Sequence, residues 1–173
     1  MLRFRTFVTS DADIIKDWTS DEYSFRLWSA DRYDRYPISG KDICDNYERQ
    51  SGTLFPFVME DDGKVIGHLT IRYLDESRRN VRLGFIIVDP EARGKGYGKK
   101  LIDLAFEYAF KEMEADEVSL AVFDANPAAC NCYKACGFKE YATDEVEYMH
   151  IFDEEWKRIL MRISKAEYEY KIA

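Results

Sequence analysis

The chain has 173 residues, 46% of them hydrophobic, with 25 basic and 33 acidic side chains for a formal net charge of −8. That length suits one domain whose core is large enough to fold without a disulfide or metal staple. The charge balance excludes the basic footprint of a nonspecific nucleic-acid binder, and no apolar run approaches the ~20 residues of a membrane-crossing helix.

Met1-Leu2-Arg3-Phe4-Arg5 lacks the apolar core of a signal peptide, so a cytoplasmic protein with no membrane partner is expected. Leu2 to Val8 alternates apolar and polar residues and predicts a first strand. Ser10 is placed to cap a helix from Asp11 to about Thr19, with Ile14, Ile15 and Trp18 inward. Residues 20–38 are aromatic and irregular. Ser39 is placed to cap a second helix reaching about Gln50, with Ile43 and Tyr47 on its buried face. Leu54 to Glu60 and Lys64 to Tyr73 flank Asp61-Asp62-Gly63, a strong hairpin signal. Asn80 to Val88 ends almost continuously apolar and predicts a central strand buried on both faces, stopped by Asp89-Pro90. Gly98 to Met113 carries an amphipathic helical pattern. Val118 to Phe123 predicts a strand. Asn126-Pro127 opens a short helix that Gly137 ends. Two last strands are expected at about 138–150 and 156–164, and residues 165–173 are expected to fray or to join an interface. The order β-α-α-β-β-β-α-β-α-β-β predicts one mixed, mostly antiparallel seven-stranded sheet flanked by helices.

Cys44, Cys130, Cys132 and Cys136 lack the paired spacing of a zinc site, and His68 and His150 stand alone, so no metal is expected. The informative stretch is Val88 to Lys100, which joins a buried strand to a long helix. Gly94, Gly96 and Gly98 allow a tight turn and a close backbone approach to a ligand. The helix N-terminus aims N–H groups and a partial positive charge at the same place, and Arg93, Lys95, Lys99 and Lys100 add cations. That is the physics of a phosphate cradle. Neither the Walker A register nor the dinucleotide pattern G-x-G-x-x-G is met.

Arg93-Gly94-Lys95-Gly96-Tyr97-Gly98 resembles the Arg/Gln-x-x-Gly-x-Gly/Ala signature of the GNAT superfamily of acyl-CoA-dependent N-acyltransferases. Asn126-Pro127-Ala128-Ala129 through Tyr133 to Gly137-Phe138 resembles that family's second motif, N-x-x-A-x-x-x-Y-x-x-x-G-F. The resemblance is specific over about residues 80–140. The aromatic N-terminal region and Leu83-Gly84-Phe85 look most like the ribosomal-protein-alanine acetyltransferase branch. The resemblance implies the acyl-CoA N-acyltransferase fold over residues 1–173, with acetyl-CoA as co-substrate. It implies that Arg93, Gly94, Lys95, Gly96, Tyr97, Gly98 and Lys99 hold the pyrophosphate. Ile86, Ile87 and Val88 would pair with the pantetheine arm where their strand splays from the one at 118–123. Asn126 would hydrogen-bond the arm, Ala129 would belong to the same cofactor-binding set, and Tyr133 would sit beside the thioester sulfur. A homodimer is left open by the habits of the family.

Amine acylation needs a neutral amine and a stabilised leaving thiolate. The Tyr133 phenol suits the second task, and by the resemblance a backbone N–H near Val88 supplies an oxyanion donor. Residues 81–88 contain no acid, which leaves Asp124, Glu147 and His150 as general-base candidates beside a water-mediated route. Carboxylates at Asp11, Asp13, Asp17, Asp21, Glu22 and Asp31, with Trp18, Trp28 and Tyr33, would suit a cationic amine acceptor, as would the late run Asp144, Glu145, Glu147, Asp153, Glu154 and Glu155. They serve equally as a solvated face. The leading expectation is an N-acetyltransferase acting on a small cationic amine or a protein N-terminus by direct attack in a ternary complex. The alternative is a non-catalytic acyl-CoA sensor on the same fold.

Overall fold

The computed structural model describes residues Met1–Ala173. The elements are β1 (Leu2–Thr6), α1 (Asp11–Lys16), α2 (Glu22–Ser29), α3 (Gly40–Arg49), β2 (Leu54–Asp61), β3 (Lys64–Tyr73), β4 (Asn80–Val88), α4 (Tyr97–Glu107), β5 (Glu117–Phe123), α5 (Pro127–Cys136), β6 (Lys139–Tyr141), β7 (Tyr148–Ile151), β8 (Glu154–Ser164) and α6 (Lys165–Ile172). The sheet runs β1-β2-β3-β4-β5-β8-β6, and β7 also pairs with β8. Only β4 and β5 are parallel, because α4 makes the crossover between them. No helix is long and apolar enough to cross a membrane.

The sheet has eight strands, not the expected seven. The segment expected as one strand at 138–150 is interrupted. Lys139–Tyr141 and Tyr148–Ile151 both pair with β8, but along different stretches of it. The stretch between them holds Thr143, Asp144 and Glu145, whose exposed polar side chains gain nothing from a ladder.

The β2–β3 hairpin forms as its sequence dictates. Asp62 (φ 48°) and Gly63 (φ 84°) both adopt the left-handed backbone that a two-residue primed turn requires. Ser39 caps α3 through a capping box with Asp42. Ser10 does not cap α1: its side chain makes no cap bond, α1 stops at Lys16, and Ile14 is 44% exposed rather than inward. The α1 entry is held instead by Asp11. Its carboxylate accepts from Arg5 at 2.8 and 3.0 Å and from the Val8 N–H at 2.8 Å, with Glu60 also on Arg5. Burial opposes the Asp11 charge, yet the Arg5 guanidinium and the Val8 N–H outweigh it and hold the carboxyl below its ordinary value. A depressed folded pKa contributes stability above the unfolded value of ~3.9 that is lost as pH falls through the folded value. Asp11→Asn should therefore cost about 2 kcal/mol at pH 7 in urea unfolding, and the gap to wild type should close below about pH 4. A constant gap across pH would remove the charge from the account.

The irregular region 20–38 contains a helix, α2, capped by Asp21, whose side chain accepts from the Ser24 N–H at 2.7 Å. The C-terminal segment does not fray. It forms α6, started by a Ser164–Glu167 capping box and docked by Tyr168. Tyr168 is buried and stacks on Phe110 at 4.7 Å with its edge to Phe106 at 5.6 Å.

Two cores occupy the two faces of the sheet. The larger joins β3, β4, β5 and β8 to α4, α5 and α6 through Leu69, Leu83, Leu101, Phe106, Leu120 and Met161. The smaller packs α1, α2 and α3 through Ile15, Phe25, Ile43, Tyr47, Val58 and Ile87. His68 belongs to this second face. Its ring lies 2.7 Å from the Tyr47 hydroxyl and 2.8 Å from the Phe57 carbonyl, and burial pushes it down to about 4. It is neutral at pH 7, donating to Phe57 and accepting from Tyr47.

Candidate active site

Local backbone geometry opens the site. The β4–β5 ladder ends at the Leu83–Leu120 pair, although β4 continues to Val88 and β5 to Phe123. On the other side of β4 the register passes from Thr70–Gly84 to His68–Ile87, so Phe85 and Ile86 together oppose Leu69. This is a bulge, which bends a strand and breaks its ladder. Phe85 pays for it with φ 48°, costly for a bulky residue. Its ring is held by Trp28 at 5.3 Å and Tyr47 at 5.7 Å, and that packing offsets the strain. The two strands therefore splay, as expected from the resemblance.

A cleft of about 1080 Å³ fills the splay and extends beneath α2. Ile86, Ile87, Val88, Arg93, Gly98, Asn126, Ala129 and Tyr133 all line it. The first intrahelical acceptor of α4 is the Gly96 carbonyl, bonded by the Lys100 N–H at 3.2 Å. The N–H groups from Gly94 to Lys99 precede it and find no acceptor in the turn. Gly94 (φ 73°) and Gly96 (φ 80°) take left-handed backbone, and a Cβ on either would meet nothing within 4 Å. Free donors, open space and a helix N-terminus together fit a pyrophosphate.

The side chains around the turn divide. Arg93 reaches the cleft and donates to the Val88 carbonyl at 3.3 Å. Lys95 donates to the Glu91 carbonyl at 3.2 Å. The Tyr97 hydroxyl donates to Asp61 at 2.6 Å, which ties α4 to the β2–β3 hairpin, so only the Tyr97 backbone is left for a ligand. Lys99 and Lys100 border a separate groove beside Asp103 and Leu2. Asn126 caps α5 by accepting from the Ala129 N–H at 3.3 Å.

Tyr133 is 8% exposed and its hydroxyl makes no hydrogen bond within the chain. Burial raises its pKa, so it is a protonated phenol at neutral pH. Of the general-base candidates, Glu147 alone lines the cleft, and Arg158 already pairs with it. Asp124 accepts from the Lys157 N–H at 2.9 Å, and His150 is exposed beside Glu155.

The early and late acidic runs do not surround the cleft. Only Asp31 and Glu147 of them line it. Arg32, Arg72, Arg82 and Arg158 line the same region and were not singled out by sequence. The signal was present: Arg82 is the one charge in Val81 to Val88, a strand otherwise apolar.

The profile of the acetyltransferase (GNAT) family matches residues 13–138, and the chain belongs to that family. It is an acetyl-CoA-dependent N-acetyltransferase that acts on a primary amine. Among its relatives, the spermidine N(1)-acetyltransferase of Vibrio cholerae is 31% identical over 140 residues, covering 80% of this chain and 73% of that protein. The L-amino acid N-acetyltransferase AaaT of Escherichia coli K12 is 33% identical over 98 residues, 53% of this chain and 60% of that protein. The crystal structure of the Vibrio cholerae spermidine N-acetyltransferase in complex with CoA and spermine superimposes with a TM-score of 0.82 at 26% identity, covering 97% of this chain and 98% of that one.

Proposed function

We propose that this chain holds acetyl-CoA along the open edge of β4 and presents the thioester to an amine arriving from beneath α2. The observation that carries this is a single continuous cleft. It runs from Arg93 and Gly98 at the glycine turn, past Tyr133, to the underside of α2. Acetyl-CoA supplies the activated acyl group. The N–H groups of Gly94 to Lys99 would bind its pyrophosphate, with Arg93 beside them. The unpaired edge of Ile86 to Val88 would bind the arm as a strand binds a strand. Asn126 and Ala129 flank the arm. Tyr133 would hold a proton beside the departing sulfur. The amine attacks directly in a ternary complex, because positioning both partners in one cleft removes much of the barrier.

The relatives support two acceptor chemistries. Spermidine is a polyamine, cationic and without an anion. An L-amino acid carries a carboxylate beside its amine. Nothing in these relatives favours the narrower likeness to ribosomal-protein-alanine acetyltransferases. One structure of the Vibrio cholerae enzyme is dodecameric, which supports an assembly of chains here rather than a homodimer in particular.

The test is thiol release from acetyl-CoA with polyamines, amino acids and short peptides bearing free N-termini. Release with one class establishes the transferase and names its acceptor. Acetyl-CoA binding with no release from any amine would favour the sensor reading.

A further inference from the structure

We propose that Arg72 and Arg82 form a subsite for an anionic group of the acceptor, so that the amine acetylated here also carries a carboxylate. The proposal rests on the transferase reading above.

Arg72 and Arg82 are register partners on adjacent strands, β3 and β4. Residues directly opposite in an antiparallel pair project from the same face, where like charges repel. Both line the cleft on the α2 side. Neither has a carboxylate partner. Arg82 reaches only neutral acceptors, the Ser119 hydroxyl at 3.3 Å and the Tyr141 hydroxyl at 3.5 Å. Arg158 and Arg32 add two further positive charges. Against them stand Glu147, already paired with Arg158, and Asp31, exposed at the rim.

Burial disfavours the charge on both Arg72 and Arg82; Arg82, Arg32 and Arg158 disfavour it further on Arg72, whereas on Arg82 the Tyr141 hydroxyl and Glu147 offset part of the burial and Arg158 adds to it. Although the chain has 33 acidic side chains, only Glu147 and Asp31 line the cleft beside these four arginines, so the half-buried patch keeps an excess of positive charge. A carboxylate would satisfy the two forks together. The patch is separate from the phosphate cradle. Arg82 precedes Val88 by six positions on one strand, with the Phe85–Ile86 bulge between them, and the cradle lies beyond Val88. Trp28, whose buried indole N–H has no acceptor in the chain, lines the same cleft. A polyamine would meet repulsion at this patch. An amino acid or short peptide would meet attraction and be oriented with its amine toward the bulge.

The experiment compares glycine, β-alanine, γ-aminobutyrate, ε-aminocaproate, L-lysine and glycyl-glycine with their carboxamides, and with spermidine, in the thiol-release assay. Wild type, Arg72→Gln, Arg82→Gln and Arg82→Lys are assayed. At least one acid should exceed its carboxamide in kcat/KM by about tenfold or more, the worth of one charge-assisted hydrogen bond. Arg82→Gln should collapse that ratio toward one through KM, and Arg82→Lys should restore part of it. Melting temperatures should hold or rise, since each Gln variant removes a like-charge contact. Acid and carboxamide used equally, or spermidine preferred over every acid in wild type and Gln variants alike, overturns the subsite. No release with any amine is a failure of the transferase reading instead. Intrinsic tryptophan fluorescence, with Trp28→Phe as the control that identifies the Trp28 signal, is then titrated with the N-acetyl derivatives of the same acids and decides the subsite: saturation lost in Arg82→Gln supports it, and no saturation overturns it.

Discussion

Gly96→Val is expected to weaken acetyl-CoA binding by about a hundredfold or more, read by calorimetric titration. Gly96 is the N-cap of α4 at φ 80° and ψ 7°. A left-handed backbone costs an L-residue roughly 1–2 kcal/mol, and a β-branched side chain adds rigidity at χ1. The valine either keeps the turn and stands in the open space above it, or relaxes the turn and disperses the N–H groups of Gly94 to Lys99. Both outcomes remove the cradle. The chain itself does not forbid the side chain, because a Cβ there meets nothing within 4 Å. The variant should therefore still fold, with a melting temperature lowered by about 2–8 °C for the backbone strain, and retained cooperative unfolding separates loss of binding from loss of structure. Undiminished affinity would mean that the phosphates bind elsewhere.

Tyr133→Phe should lower kcat by about a hundredfold while the acetyl-CoA dissociation constant stays within about twofold, the low end of a positioned general acid. The substitution removes one oxygen that has no partner in the chain, so the fold should not notice it. The pH dependence carries a definite sign. Burial raises the phenol above its ordinary value of ~10, and the protonated form is the donor. Activity should therefore show no alkaline fall below about pH 10 that the Tyr133→Phe variant lacks. A fall near pH 7 to 8 shared by both proteins would belong to another group. An unchanged kcat would leave Tyr133 as a core residue of α5 packed edge-on to Phe138.

The parts of this protein legible from sequence are those where chemistry is local. Asp62-Gly63 is suited to a tight turn, Ser39 to a helix start, and the glycines at 94 and 96 sit where the backbone is left-handed. Elements that rely on distant partners were harder. α2 carries Tyr23, Phe25 and Trp28 without a clean helical stripe, because its apolar side faces both a core and a cleft. α6 looks like a frayed tail until Tyr168 meets Phe106 and Phe110, residues some sixty positions earlier in the chain. Ile14 was placed inward by a helical period that ends after Lys16.

Sequence alone determined the acetyltransferase family, the glycine-rich strand–turn–helix from Val88 to Lys100, and the presence of Asn126 and Tyr133 at motif spacing. Those features are contiguous or nearly so, and backbone torsions set by residue type decide them. Tertiary structure decided which charges line the cleft. The acidic runs look abundant along the chain, yet they spend themselves on caps, on Arg5 and on solvent. Arg72 and Arg82 are ten residues apart in sequence and inconspicuous there. Antiparallel register alone sets them side by side, and the splay after Leu83 leaves the cleft open beside them.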